Sequence, residues 1–330
     1  MGDVPIGVMY RCDSAPENLP AYARLVERLG YDELWVVEDC FFGGAVSAAA
    51  VAAAVTDNLK IGIGVLPAAF RNPAVAAMEL ANLARIFPGR ILPGFGHGVA
   101  EWVRQIGAEH PSPLAVLGET VGAVRALLAG ETVTVVGRHA RLSEVTLEFP
   151  PEHPPPISTG VRGEKSLRLS GRVADGTILA ESASPAYVRW AREMIDAGRR
   201  EAGRADDHRL TVYVHLDFDE GRASARREIA RRLSDGRPMP PADADLADEI
   251  AALLSGSSGA DALAEALPES YLHRFAAAGS AEQCAGSVAR LRRAGADAVV
   301  FVPPRDAQFA VAQITLAAQT LLPLLRLGRG

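Results

Sequence analysis

The sequence is poor in lysine and aromatic residues, and it has no excess of positive charge. Of 34 basic residues only Lys60 and Lys165 are lysines, and aromatic residues make up 6% of the chain. The 40 acidic residues outnumber the basic ones and give a net charge of -6. Proteins that bind nucleic acid usually carry a basic excess that neutralises phosphates. We therefore expect no nucleic-acid partner.

Cysteine is too rare and too scattered for a disulfide framework. Cys12, Cys40 and Cys284 are odd in number, far apart in the chain and never form a CxxC pair. The seven histidines show no spacing typical of metal ligands. We expect neither a structural disulfide nor a metal site, and a reducing cytoplasm fits this pattern.

Export signals, bilayer-length apolar runs and two common catalytic motifs are missing as well. The N-terminal residues do not resemble a secretory signal, and the weakly polar stretch Gly43–Val55 is shorter than the roughly 20 residues that cross a bilayer. We expect no membrane association. No GxGxxG follows a predicted strand, which argues against a Rossmann nicotinamide site, and no GxSxG indicates a serine hydrolase.

The chain does have short apolar runs that alternate with amphipathic segments, a pattern typical of parallel sheets covered by helices. Helices are predicted at Ser14–Leu29, up to Val55, at Pro73–Phe87 and at Pro113–Leu128. Eight runs are predicted as strands: Val4–Met9, Glu33–Glu38, Lys60–Leu66, Arg90–Phe95, Ile157–Gly160, Gly176–Ala180, Leu210–Leu216 and Ala298–Val302. This count predicts an α/β fold, a closed (β/α)8 TIM barrel in one domain over residues 1–330.

Two segments interrupt the alternation. Residues 132–149 alternate β-type residues around Gly137, which predicts a β-hairpin insertion before strand 5. Residues 236–279 are rich in Pro, Asp, Ser and Ala and predict a helical insertion, or a lid, before strand 8. In a TIM barrel the active site lies at the carboxyl ends of the strands. Arg11 and Glu181 follow strands 1 and 6 and are weaker candidates for the rim of that site.

Several ordered motifs at these strand ends resemble the bacterial-luciferase-like (LLM class) superfamily of (β/α)8 oxidoreductases. The resemblance is strongest to the branch of methylenetetrahydromethanopterin-reductase-like enzymes that use the deazaflavin coenzyme F420. It covers nearly the whole chain and implies a homodimer whose first helices form the interface. The motifs are Glu33–Asp39, Gly62–Val65 with Arg71-Asn72-Pro73, Arg90–Gly98, Gly160–Gly176, and Gly279–Cys284 with Gly295-Ala296-Asp297.

The resemblance implies a cofactor, F420 or alternatively FMN, across the carboxyl ends of the strands. Residues 160–166 form a glycine-bearing turn before a helix, where backbone N–H groups favour an anion, and the family places the cofactor phosphate there. Gly64-Val65 matches a non-prolyl cis peptide behind the cofactor ring. The cofactor-binding candidates are Asp39, Gly64, Val65, Gly96, His97, Gly98, Gly160, Val161, Arg162, Gly163, Lys165 and Ser166.

Asp39, Cys40 and His97 are the candidate catalytic residues. Many deazaflavin relatives have a histidine where this chain has Cys40, so the family's histidine-based alcohol dehydrogenation is not expected. The thiol of Cys40 is a weak acid, a packing residue, or a small side chain that leaves space for a different substrate. His97 is either a proton donor near neutral pH or a structural histidine. Val99 occupies the position of the glutamate of sugar-phosphate-oxidising relatives, which argues against that reaction.

These observations predict an F420-dependent oxidoreductase. The reaction expected is hydride delivery from reduced deazaflavin to an activated C=C or C=N bond of a small-molecule or peptide-like substrate. Two alternatives remain open. An FMNH2-dependent luciferase-like monooxygenase would use the same cleft, and a non-catalytic cofactor-binding protein is suggested by the missing histidine.

Overall fold

A computed structural model describes residues 4–218, 222–235 and 241–327. Its strands are β1 (Ile6–Met9), β2 (Glu33–Val36), β3 (Lys60–Pro67), β4 (Ile91–Gly96), β5 (Val133–Val136), β6 (Arg141–Val145), β7 (Ser158–Gly160), β8 (Gly176–Leu179), β9 (Arg209–Asp217), β10 (Ala276–Ala278) and β11 (Ala298–Val302). All except β5, β6 and β10 form a closed parallel sheet in the order β1-β2-β3-β4-β7-β8-β9-β11. The predicted TIM barrel is therefore confirmed.

The helices cover the outside of this barrel. They are α1 (Leu19–Arg28), α2 (Ala45–Ala54), α3 (Pro73–Ile86), α4 (Ala100–Gln105), α5 (Pro113–Leu128), α6 (Glu164–Val173), α7 (Pro185–Glu201), α8 (Ala223–Ser234), α9 (Ala247–Gly256), α10 (Ala260–Ala266), α11 (Glu269–Phe275), α12 (Ala281–Arg293) and α13 (Ala307–Leu327). The first helix was predicted from Ser14 but begins at Leu19, because Pro16–Asn18 forms a short 3-10 turn before it.

Strand alternation separates two apolar layers. On β9, alternate residues pack in the large core between barrel and helices, namely Leu210, Val212, Val214 and Leu216. Tyr213, which lies between them in sequence, belongs instead to a cluster inside the barrel. The other members of that cluster are Met9, Trp35, Leu92, Ile178, Val300 and Val302. Because side chains of a strand point alternately to its two faces, odd-numbered positions of β9 face the barrel interior.

A buried ion pair closes the amino-terminal side of the barrel interior. Glu33 is fully buried and its carboxylate lies 2.5 Å from the guanidinium of Arg209. Trp35 Nε1 donates a hydrogen bond to the same carboxylate at 2.9 Å. Gly62 makes room for the indole, since a Cβ at that position would overlap the ring. The carboxyl-terminal side of the interior is the part left for a site.

The two interrupting segments have regular structure. Antiparallel β5 and β6 lie between α5 and β7, and the Glu119 carboxylate of α5 accepts hydrogen bonds from three backbone N–H groups at their turn, those of Arg138, His139 and Ala140. Between α8 and β10 lie a 3-10 helix at Pro241–Leu246 and the helices α9 to α11. Residues 236–240 of the segment predicted as a lid fall outside the described residues. β10 was not predicted, and it pairs with the last three residues of β9.

Helix α13 is long and apolar, although no apolar run of bilayer length was predicted from the sequence. By length and composition alone, Ala307–Arg326 could cross a membrane. In the fold it follows the last barrel strand, and its apolar face is buried in the core through Ile314, Ala317 and Leu321. Of this apolar stretch 33% is buried, so packing on the barrel accounts for part of its apolar composition.

Candidate active site

A bulge in β3 lies at the mouth of the barrel, which is the opening at the carboxyl ends of the barrel strands. The peptide bond between Gly64 and Val65 is cis, as predicted, and the pairing of β3 with β4 shifts register between Ile63 and Leu66. The Val65 side chain lies over glycines of the two neighbouring strands. A Cβ at Gly96 or at Gly160 would come within 2.6 Å of a Val65 methyl group. Gly96 and Gly160, predicted as cofactor residues, therefore first provide the space in which the bulge sits.

Tyr213 supports this bulge from inside the barrel. A Cβ added at Gly64 would overlap the Tyr213 hydroxyl, and the phenol packs edge-on against Trp35 with ring centroids 5.7 Å apart. The hydroxyl is buried and has no hydrogen-bond partner in the described chain. Burial, with the charges of Glu181 and Glu33 adding to it, raises the pKa of Tyr213 well above its usual value. A neutral phenol therefore lies beneath Gly64.

Asp39 follows β2 and has a partner that the sequence reading missed. Cys12, after β1, donates its thiol hydrogen to Asp39 Oδ2 at 3.3 Å. Burial and the nearby charge of Glu181 raise the pKa of Asp39, against the opposing effects of Cys12 and Arg11. Burial and the carboxylate raise the pKa of Cys12 to about 12, so this thiol is a neutral donor. Asp39 is thus a carboxyl group at the mouth whose pKa is raised and whose partner is a thiol.

Cys40 follows Asp39 in a loop with two large exposed side chains. The peptide bond between Cys40 and Phe41 is also cis, which was not predicted. Phe41 is 68% exposed and Phe42 is 54% exposed. Desolvation and the neighbouring carboxylates of Glu38 and Asp39 raise the pKa of the Cys40 thiol. The thiol is therefore neutral at neutral pH, which suits packing or weak hydrogen bonding better than nucleophilic attack.

Glu38 and Arg71 clamp the loop after β2 to the start of α3. The guanidinium of Arg71 makes two hydrogen bonds to the Glu38 carboxylate, at 2.5 and 2.7 Å. Glu38 also accepts a hydrogen bond from the backbone N–H of Ala45, at the start of α2. Asn72 caps α3 by accepting from the Ala74 N–H at 2.9 Å. Two of the motifs that carry the resemblance are thus parts of one structural clamp beside Asp39.

His97 links β4 to the turn before α6. Its Nε2 atom lies 3.1 Å from the Ser166 hydroxyl. Burial lowers the pKa of His97, although the backbone at Pro113 opposes this effect. With Gly98 and residues of α4 and α5 it lines a cavity of about 160 Å³. A neutral, hydrogen-bonded imidazole suits a binding role, and its catalytic role stays a prediction.

The turn before α6 has the features of an anion site. Gly163 occupies the N-cap position of α6 without a side-chain cap, and no atom lies within 4 Å of where its Cβ would be. Lys165 is exposed beside it. Val161 is buried, and Arg162 Nη2 donates to the backbone oxygen of Glu181 at 3.3 Å, so its guanidinium is held towards the β8 loop. Uncapped N–H groups, open space and a cation fit a phosphate.

A cluster of compensated charges lies on the other side of the mouth. Arg11 Nε donates to Asp13 at 3.0 Å, and Arg305 Nε donates to Glu228 at 2.8 Å. Of this cluster the sequence indicated only Arg11. Arg305 follows β11, so its position at the carboxyl end of a strand could have indicated a site residue. Glu228 lies on α8, away from any strand end, and no sequence pattern marks it. His215, on the inner face of β9, was also missed as a site residue.

No group of three or more potential metal ligands occurs within the residues that the structure describes. The site therefore consists of a bulge over glycines, an uncapped helix N-terminus, and the carboxylates and histidines of the mouth. These residues fit a flat aromatic cofactor with a phosphate: the bulge and glycines form a flat floor, and the turn before α6 offers N–H donors and Lys165.

Comparison with known proteins identifies the family. The model of the family described as luciferase-like monooxygenase matches residues 5–298. The chain is 29% identical to a 5,10-methylenetetrahydromethanopterin reductase of Methanolobus tindarius over 86% of this chain and 89% of that protein. It is 31% identical to an F420-dependent glucose-6-phosphate dehydrogenase of Kineococcus radiotolerans over 67% of this chain and 71% of that protein.

A solved structure shows the same fold. The coenzyme F420 dependent tetrahydromethanopterin reductase from Methanopyrus kandleri superposes with a TM-score of 0.82 at 20% identity, over 98% of this chain and 100% of that chain. At this identity the likeness concerns the barrel. Together with the match of the family model over most of the sequence, it confirms the resemblance drawn from the motifs. The chain belongs to the luciferase-like monooxygenase family of (β/α)8 proteins.

Proposed function

We propose that the protein is an F420-dependent oxidoreductase that acts as a reductase. It delivers hydride from reduced deazaflavin to an activated C=C or C=N bond of a small-molecule or peptide-like substrate. The observation that carries this proposal is the Gly64-Val65 bulge, seated on Gly96 and Gly160 with the Tyr213 phenol beneath Gly64. The name of one relative, an F420-dependent glucose-6-phosphate dehydrogenase, supports the choice of cofactor.

Different residues of the mouth would hold different parts of such a cofactor. Val65 lies behind the ring, and Asp39 is the polar group beside it. The N-terminus of α6, with Gly163, Lys165 and Ser166, takes the phosphate, and His97 orients Ser166 through their hydrogen bond. When bound, the deazaflavin supplies two electrons and a hydrogen as hydride at one ring carbon. The apolar cluster that contains Tyr213 and Trp35 fills the barrel beneath the bulge and would exclude water from that side of a bound cofactor.

The charge of the mouth favours a substrate without a phosphate. Arg11 and Arg305 are cations on the side of the mouth away from the turn before α6, and they already contact the carboxylates of Asp13 and Glu228. Asp39 and Glu181 add negative charge near them. A sugar phosphate would have to displace these ion pairs, which is costly for partly buried groups. Neutral or cationic acceptors, such as enones, imines and dehydroamino-acid derivatives, meet no such cost.

The test is turnover with reduced F420 and a panel of acceptors: a cyclic enone, a cyclic imine, an N-acyl dehydroamino acid and glucose 6-phosphate in the oxidative direction. We expect reoxidation of F420 with an enone, imine or dehydroamino acid, and no reaction with the sugar phosphate. Exclusive activity with the sugar phosphate would contradict the proposed reaction.

The second candidate function is an FMNH2-dependent monooxygenase. It is favoured by the description of the matching family model and by the phosphate turn, which suits FMN as well. Oxygen consumption with reduced FMN, and none with reduced F420, would establish it. Tight binding of cofactor with no turnover in either assay would instead favour the non-catalytic binding protein.

We further propose a homodimer formed through α2 and α3, in the cytoplasm. The support is a set of exposed apolar side chains on these helices: Val51, Val75, Met78 and Ile86. Exposed apolar patches of this kind commonly mark protein interfaces. Light scattering of the wild-type protein should give twice the chain mass, and Met78→Glu should lower it towards the monomer. A monomeric wild type would overturn this part of the proposal.

A further inference from the structure

A histidine on β9 faces the mouth of the barrel. His215 lies two residues after Tyr213, and its sequence neighbours Val214 and Leu216 pack in the outer core. Its register partner on β11 is Val302, which belongs to the inner cluster. The imidazole therefore points into the barrel. It is the next inward-facing side chain after the Tyr213 phenol in the direction of the mouth.

The imidazole of His215 is buried without a partner. It is only 7% exposed, yet it makes no side-chain hydrogen bond within the part of the chain that the structure describes. His208 bonds the Thr177 hydroxyl at 2.8 Å. His97 bonds Ser166 through Nε2 only, and its Nδ1 atom is buried without a partner in the described chain. Buried polar groups normally have a partner. The ring nitrogens of His215 are therefore available to a molecule that enters the mouth.

Charged groups in four parts of the chain affect the protonation of the His215 imidazole. Glu181 follows β8 and Glu228 lies on α8, and both carboxylates favour the protonated imidazole. Arg11 follows β1 and Arg305 follows β11, and both oppose it. On the same strand, Asp217 lies two residues after His215, and its carboxylate accepts a hydrogen bond from the Ala225 N–H.

We propose that His215 is the proton-transferring residue of the site. This inference rests on the proposed function, because it assigns the proton that accompanies hydride transfer. The acceptor carbon gains the hydride that reduced F420 supplies, and the π electron pair of its C=C or C=N bond moves to the neighbouring atom. That atom takes the N–H proton of protonated His215, and the imidazole left behind is reprotonated from water.

The alternatives within the mouth are less suited to this step. The Cys40 thiol has a raised pKa and is a weaker acid than usual. His97 is already bonded to Ser166 on the phosphate side. Burial lowers the pKa of His215, which makes its protonated form a stronger acid but a less populated one at neutral pH. Reductive turnover should therefore rise as the pH falls towards that pKa, below 6.5.

The first test compares His215→Gln with His153→Gln, a control in an exposed loop. With an acceptor consumed by the wild type, we expect His215→Gln to lower kcat by about 100-fold, with F420 affinity within twofold, and to lose the acidic limb of the pH profile. His153→Gln should behave as the wild type. A His215→Gln enzyme that keeps its kcat and pH profile overturns the proposal.

The second test needs no acceptor and no turnover. In the wild-type protein labelled with ¹⁵N-histidine, the imidazole signals are followed by NMR across pH, and His215 is assigned by its absence in His215→Gln or, if that variant does not fold, in His215→Asn. We expect the His215 signals to titrate below pH 6.5 and to shift when oxidised F420 saturates the site, while those of His153 stay in place. His215 signals that F420 leaves unchanged overturn the inference. A separate fluorescence titration shows whether F420 binds at all, and absence of binding there counts against the proposed function.

Discussion

Tyr213 and Gly64 meet inside the barrel so closely that a Cβ on Gly64 would overlap the Tyr213 hydroxyl. Val65, the next residue, lies over Gly96 and Gly160. The bulge in β3 is thus held between a buried phenol and two glycines of neighbouring strands. The shape of the proposed cofactor floor depends on these contacts.

Gly96→Ala should distort that floor. The added Cβ would come within 2.6 Å of a Val65 methyl group, so the side chain or the bulge has to move. Overpacking of this kind costs about 1–3 kcal/mol, and we expect F420 affinity to fall at least tenfold. Gly122→Ala on α5 is the matched control, because nothing lies within 4 Å of its Cβ. Fluorescence titration measures both, and equal affinities would contradict the role given to the bulge.

Tyr213→Phe should stabilise the protein, since it removes a buried hydroxyl that lacks a partner. We expect the free energy of unfolding to rise by about 1 kcal/mol. Tyr22→Phe is the control with the opposite sign, because the buried Tyr22 hydroxyl donates to the Met9 backbone oxygen at 3.2 Å. Urea unfolding compares the two variants. A loss of stability in Tyr213→Phe would mean that the hydroxyl has a partner in solution.

Cys40 should react slowly with iodoacetamide at neutral pH. Burial and the charges of Glu38 and Asp39 raise the pKa of its thiol above 9.0, so the reactive thiolate forms only in more alkaline solution. Intact mass after timed alkylation across pH measures this, with Cys40→Ala identifying the modified site. We also expect Cys40→Ala to keep F420 affinity and to lower turnover less than threefold. Rapid alkylation at pH 7, or a large loss of turnover, would give Cys40 a chemical role.

The two lysines of the chain provide a matched pair. Lys165 is exposed beside the uncapped start of α6, whereas Lys60 is exposed at the first residue of β3, on the opposite side of the barrel. Lys165→Ala should weaken F420 binding about tenfold, the size expected for one contact to a charged group, and should make binding less dependent on salt. Lys60→Ala should leave binding unchanged. Equal effects of the two substitutions would place the phosphate elsewhere.

The barrel was predictable because its signals are local. Each of the eight strands is a short apolar run, and the strand at Ala298–Val302 has the bounds that its pattern predicts. β10 was missed because Ala276–Ala278 is a run of three alanines without the β-branched or aromatic residues typical of strands. Its strand conformation comes from pairing with β9, a contact between distant parts of the chain.

The site was predictable only where family motifs mark it. The cis peptide at Gly64-Val65 follows from the resemblance, but the one at Cys40-Phe41 matches no pattern in the sequence. The hydrogen bond from Cys12 to Asp39 joins loops of different strands, so neither residue alone indicates it. His215 was missed for a different reason: its inward direction requires the register of β9, which only the packing of Tyr213 fixes.

The central claim is that the floor formed by Val65, Gly96 and Gly160 holds a deazaflavin. The most direct measurement is equilibrium titration of the purified protein with F420 and with FMN, each in oxidised and reduced form. We expect saturable, one-to-one binding of F420 with a Kd at least tenfold lower than that of FMN, and lower F420 affinity in Gly96→Ala than in the wild type. Tight binding of FMN without binding of F420 would contradict it.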